Sequence, residues 1–104
     1  MMESYQLGRL ATMTDPVRLK ATFIPNEGEF FRVKLALDIA IEEVQREPGC
    51  LQYEITEESE DRIILSELWA SEEELDAHSK GAAVQDLNES LSALLAEPVK
   101  VERV

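Results

Sequence analysis

The chain has 104 residues, enough for one domain and too few for two of ordinary size. Ten Lys and Arg against 22 Asp and Glu give a formal net charge of −12, which repels phosphate backbones and anionic lipid and so argues against nucleic acid or a membrane surface as partner. With 44% hydrophobic and 31% charged residues and only four Gly and four Pro, the composition is that of a folded domain, neither disordered nor collagen-like.

Residues 1–16 carry no clear period and end in Thr14-Asp15-Pro16, a turn-like punctuation. They read as an N-terminal arm before a single domain spanning 17–104. Glu3 stands where a secretory leader needs basic residues, and Tyr5 to Met13 holds no continuous apolar core. No run of about eighteen apolar residues occurs anywhere, so a membrane span is not expected and the chain reads as cytoplasmic.

From Val17 the pattern alternates. Val17, Leu19, Ala21 and Phe23 face one way and Arg18, Lys20 and Thr22 the other, predicting a strand that Pro25 stops. Asn26 with Glu29 three residues later resembles a helix cap and its reciprocal partner. Phe30, Val33, Leu37, Ala40, Ile41 and Val44 then recur at helical spacing, and a second stripe of Phe31, Leu35 and Ile39 widens the apolar face. Pro48-Gly49 ends this helix, and Leu51, Tyr53 and Ile55 alternate with Gln52, Glu54 and Thr56 as a second strand.

Glu57 to Asp61 reads as a solvated turn. It lacks the alternating acidic spacing and central glycine that wrap a calcium ion. Ile63 to Ala70 follows as a third strand, with Ile63, Leu65 and Trp69 on one face and Ile64 and Leu68 on the other. Both faces want cover, and a short chain has little left for the second, so a homodimer pairing sheet face to sheet face is expected. Ser71 to Glu74 forms a capping box for a short helix carrying Leu75 and His78, with Gly81 placed to end it. Val84, Leu87, Leu91 and Leu94 continue as a further helix to Pro98, and Val99 to Val104 is a last strand. The order β-α-β-β-α-α-β predicts an α+β, ferredoxin-like split βαβ fold, a four-stranded antiparallel sheet with helices on one face.

The residues that could carry chemistry are few. One Cys, Cys50, and one His, His78, leave no disulfide framework and no common zinc constellation, so no metal is expected. Cys50 has no basic neighbour to lower its pKa and reads as a small packing residue. Gly8, Gly28, Gly49 and Gly81 are scattered singly, so no phosphate-cradling loop is present and no nucleotide cofactor is expected. Ser66, His78 and Asp76 supply the residue types of a Ser-His-Asp assembly without a nucleophile elbow. What remains is Glu67-Leu68-Trp69 on the third strand with His78 on the helix after it. Alternation points Glu67 and Trp69 to one face; on the helix side, a carboxylate, an indole N–H and an imidazole would meet in a chamber lined by Phe30, Val33, Leu65, Leu87 and Leu91. The same residues also suit a plain packing role: a buried Trp, a hydrogen-bonded Glu and a His leaning to the surface. Tyr53 alternates with Leu51 and Ile55, which leaves its place in the chamber open.

Four segments, Glu47-Pro48-Gly49-Cys50-Leu51-Gln52-Tyr53-Glu54, Ser66-Glu67-Leu68-Trp69-Ala70-Ser71, Leu75-Asp76-Ala77-His78 and Leu94-Leu95-Ala96-Glu97-Pro98, resemble the antibiotic biosynthesis monooxygenase family in their order and spacing across Val17 to Val104. The resemblance implies a ferredoxin-like monomer whose sheet packs on a partner's in a dimeric α/β barrel. It also implies small aromatic substrates, typically hydroquinones or anthrones, oxygenated by O₂ with neither metal nor flavin. A deprotonated phenol can itself reduce O₂, so the protein need supply only a base, a dry pocket and donors where peroxide charge develops. In that scheme His78 is the base, Glu67 orients its ring and favours the imidazolium, and Trp69 stacks on the aromatic substrate. A haem-degrading branch pairs a strand Trp and a helix His with an Asn on the first strand. Here Val17 to Phe23 holds no Asn, which disfavours haem. Two alternatives stay open: a dimeric small-ligand-binding or stress-response module without turnover, and an isomerase using the same base without oxygen.

Overall fold

The computed structural model describes residues 15–104, so nearly all of the expected arm 1–16 lies outside the described residues. Seven elements follow in the expected order: β1 (Val17–Phe23), α1 (Phe30–Val44), β2 (Cys50–Glu58), β3 (Ile63–Trp69), α2 (Glu72–Ser79), α3 (Ala82–Leu91) and β4 (Lys100–Arg103). The strands form one antiparallel sheet in the order β2-β3-β1-β4, the ferredoxin-like arrangement.

β3 is the central strand for the fold. Against β1 its register runs from Val17 opposite Trp69 to Phe23 opposite Ile63, which sets Leu19, Ala21 and Phe23 beside Glu67, Leu65 and Ile63 on the helix side. Val33, Leu37, Ala40 and Val44 of α1 and Ala83, Leu87 and Leu91 of α3 close over that side, and all are buried. Burying one Leu of this kind contributes about 1.5–3 kcal/mol. The outer side of the sheet carries Arg18, Lys20, Thr22 and Ser66 around a buried Ile64 and a half-buried Leu68.

Several local expectations need correction. The helix cap at Asn26 does not form. Gly28 takes a positive φ of 82° and starts the helix late, Glu29 is the N-cap without a side-chain bond, and the Asn26 backbone N–H instead ties β1's exit to the segment after α3 by donating to Leu94 O at 2.8 Å. The stripe Phe31, Leu35 and Ile39 does not widen the core face. At about 100° per residue it falls on the opposite side of α1 from Val33, Leu37, Ala40 and Val44, and Phe31 is 81% exposed. Leu51 leaves the face of Tyr53 because the register against β3 slips between Cys50 and Gln52; this bulge turns Leu51 outward, 58% exposed. α3 stops at Leu91, short of Leu94, and Leu95 bridges to Pro25 instead.

Candidate active site

Glu67 and Trp69 reach the helix side together because two residues along a strand restore the same face. β3's burial alternates accordingly, with Leu65, Glu67 and Trp69 buried and Ser66 and Leu68 half-buried. His78 is delivered by α2, whose start is tightly specified. The Ser71 hydroxyl accepts the Glu74 N–H at 3.4 Å and donates to Glu74 Oε1 at 3.0 Å. Glu72, Glu73 and Glu74 at the first turn complement the helix dipole.

The imidazole is buried and held from several sides. Its face stacks on the Trp69 indole, with ring centroids 4.4 Å apart and planes 29° from parallel, and Tyr53 meets it edge-on at 5.5 Å. His78 Nδ1 lies 2.9 Å from Glu47 Oε1, while Nε2 lies 3.9 Å from Glu67 Oε1. Trp69 Nε1–H donates to that same Glu67 oxygen at 3.0 Å. Burial raises the Glu67 carboxyl above the usual range, against the opposing pull of the Trp69 donor and the His78 ring. Burial also pushes the Tyr53 phenol far up, with the negative charge of Glu67 and Glu47 adding to the effect, so Tyr53 keeps its proton and offers it as a donor. The Cys50 thiol is likewise raised, first by burial and then by Glu47 and Glu67, an environment that disfavours a thiolate nucleophile.

Beside this cluster lies a cavity of about 170 Å³. Leu19, Ala21 and Phe23 of β1 form its floor with Val99 and Val101. Leu75, His78 and Ser79 of α2 and Val84, Leu87 and Asn88 of α3 form its walls, and Tyr53 and Glu67 close one end. A wider surface depression adjoins it, sharing Leu19, Leu75, Ser79 and Val101 and adding Glu72, Asp76 and Arg103. Arg103 is paired there with both carboxylate oxygens of Glu72.

His78, Glu67 and Trp69 are therefore brought together, but two details differ from the sequence-based picture. Trp69 is fully enclosed and its face is already occupied by His78, so it does not line the cavity; its N–H serves Glu67. The residue within hydrogen-bond distance of His78 Nδ1 is Glu47, which the sequence reading passed over; its position in the turn before Pro48-Gly49 gave no local signal. Of the expected chamber residues only Leu87 lines the cavity. Val33, Leu65 and Leu91 are fully buried core, and Phe30 packs at the start of α1, because the cavity opens between the β1–β4 half of the sheet and α2–α3 rather than beneath α1. Tyr53, Ser79 and Asn88 supply the polar lining that the sequence reading left open or missed. Among the described residues, no group of three or more His, Cys, Asp or Glu side chains is placed to hold a metal ion, and no helix is long and apolar enough to cross a membrane.

Comparison with known structures gives three close likenesses in fold. Rv0793 from Mycobacterium tuberculosis is 26% identical with a TM-score of 0.80, over 86% of this chain and 93% of that one. PA3566 from Pseudomonas aeruginosa is 23% identical with a TM-score of 0.80, over 88% and 94%. SO0527 from Shewanella oneidensis is 24% identical with a TM-score of 0.78, over 88% and 90%. No curated protein matches the chain. The family model described as antibiotic biosynthesis monooxygenase matches residues 16–90, a stretch that contains Glu47, Glu67, Trp69, His78 and most of the cavity wall. The chain belongs to the antibiotic biosynthesis monooxygenase family.

Proposed function

We propose that this protein is a monooxygenase that oxidises a small, single-ring quinol-like aromatic with O₂, drawing the electrons from the substrate itself. The observation that carries this reading is the lone imidazole, buried, ringed by two carboxylates and facing an apolar cavity with Tyr53 at its end. Size selects within the substrate class. An apolar cavity of about 150 Å³ suffices for benzene, so about 170 Å³ accommodates one aromatic ring.

His78 takes the first phenolic proton. The phenolate then passes one electron to O₂, the caged superoxide and aryloxyl radical combine at a ring carbon, and the peroxide anion so formed takes back the proton from His78 to become a hydroperoxide. Loss of water across the O–O bond leaves the hydroxyquinone, so one oxygen atom enters the product and the other leaves as water. For the parent hydroquinone, C₆H₆O₂ and O₂ give C₆H₄O₃ and H₂O. The apolar walls exclude bulk water from the radical pair, and in this reading the Tyr53 hydroxyl, which lines the cavity, donates to developing peroxide charge. The working form is a homodimer joined through the outer face of the sheet, where Ile64 and Leu68 supply the apolar centre, and the protein acts in the cytoplasm.

The test is oxygen uptake across a panel of monocyclic hydroquinones. The natural chain should consume O₂ faster than autoxidation, and His78→Ala should abolish the excess without changing the sedimentation coefficient. Unchanged turnover in that variant would refute the role of His78. The enclosure of Trp69 favours a second reading, a dimeric binding module without turnover, whose sign is tight retention of a hydroquinone with no O₂ uptake.

A further inference from the structure

We propose that Glu47 is the positioning residue of this site: its carboxylate accepts the Nδ1–H of His78, fixes the tautomer, and so turns the basic Nε2 lone pair towards Glu67 and the cavity. The assignment rests on the functional reading above and adds a residue to it.

Two carboxylates compete for the single proton of a neutral imidazole, and the geometry decides between them. Glu47 Oε1 lies at 2.9 Å from Nδ1, a hydrogen-bond distance. Glu67 Oε1 lies at 3.9 Å from Nε2, beyond one, and already accepts from the Trp69 indole. The one ring nitrogen within hydrogen-bond distance of a carboxylate oxygen is Nδ1, so the geometry assigns the proton of the neutral ring to Nδ1, donating to Glu47.

Glu47 is itself held in place. Its N–H donates to Val44 O at 2.9 Å and its carbonyl accepts from Cys50 N–H at 3.2 Å, which pins the turn between α1 and β2 at both ends. Its side chain is 23% exposed where that of Glu67 is 7% exposed. The two carboxylates thus stand on opposite edges of the ring, one at the solvent edge and one at the cavity. Turning the ring over by 180° would put Cδ2 in place of Nδ1 and break the bond to Glu47 while leaving the ring in the plane that stacks on Trp69, so it is Glu47 that sets which edge of the ring faces the cavity.

The chain contains one histidine, so nitrogen-detected NMR of the whole protein reads this ring without ambiguity. At a pH high enough to leave the imidazole neutral, the natural chain should show the proton on Nδ1. In Glu47→Gln the amide can donate or accept, so a substantial share of the Nε2–H form should appear. Oxygen uptake with methylhydroquinone should lose on the order of tenfold or more in kcat, with KM little changed because the cavity walls are untouched. The Nε2–H form in the natural chain overturns the proposal without any variant. So does an unchanged tautomer in Glu47→Gln, or a tautomer shift that leaves kcat as it was. Absence of oxygen uptake in the natural chain would instead sink the monooxygenase reading and leave the nitrogen spectra to decide the placement of the proton.

Discussion

The Trp69 indole lies across the His78 imidazole while its N–H donates to Glu67, the carboxylate nearest the imidazole's other edge. One side chain thus sets the height of the ring and the direction of the acid beside it. Trp69→Phe keeps a flat apolar face but withdraws the donor from a buried carboxylate. The expected cost is about 1–3 kcal/mol, read from urea unfolding midpoints at constant slope. A variant as stable as the natural chain would show that Glu67 does not depend on the indole.

Glu67 also makes stability depend on pH in an unusual direction for an acid. Its folded pKa lies above the ordinary value of 4.5. Between those two values the folded chain holds more protons than the unfolded one, so stability falls as pH rises through that window. Glu67→Gln has no proton to lose and still offers an oxygen to Trp69. Its melting temperature relative to the natural chain should therefore climb as pH is raised from about 4.5 upward, and a flat difference would contradict a Glu67 carboxyl whose folded pKa burial has raised.

Val84 lines the cavity on α3 from a half-buried position. Val84→Phe fills space that an aromatic guest would need while leaving His78, Glu67 and Glu47 in place. Binding of a monocyclic hydroquinone, followed by calorimetry, should weaken by about tenfold or more, on the order of 1.4 kcal/mol. Unaltered affinity would place the guest elsewhere.

Gly49 takes φ of 78° between α1 and β2, and a Cβ added there would land on the Glu74 carboxylate. That carboxylate accepts the Ser71 hydroxyl at the start of α2. Gly49→Ala should cost about 1–3 kcal/mol from the backbone alone, and more if the displaced Glu74 releases Ser71. Ser71→Ala, which removes the cap without touching the turn, should cost about 1 kcal/mol. Thermal unfolding of the two single variants and the double separates the contributions.

Much of this was legible in the sequence. Alternation along Val17 to Phe23 and Ile63 to Trp69 placed Glu67 and Trp69 on one face, and the Ser71–Glu74 spacing placed α2 and hence His78. What escaped was set by tertiary geometry. Glu47 lies thirty-one residues before His78 and meets it only because the turn at Pro48-Gly49 folds back beside α2. Leu51 turned outward because of a register slip that alternation cannot foresee. The stripe at Phe31, Leu35 and Ile39 was readable and misjudged: counted around the helix, it lies opposite the core-facing positions. Of the chamber expected from Phe30, Val33, Leu65, Leu87 and Leu91, only Leu87 lines the void, because the space beneath α1 is filled by core side chains and the void lies where the shorter helices meet the sheet.

The outward row of Phe31, Leu35 and Ile39 sits on a molecule carrying a formal charge of −12. At low ionic strength, like-charged copies repel over tens of ångströms, which keeps their greasy ridges apart. Added sodium chloride collapses that repulsion to a few ångströms and leaves the ridge unopposed. This protein should therefore become more prone to cloudiness, rather than less, as brine replaces dilute buffer, and Leu35→Glu should erase that sensitivity.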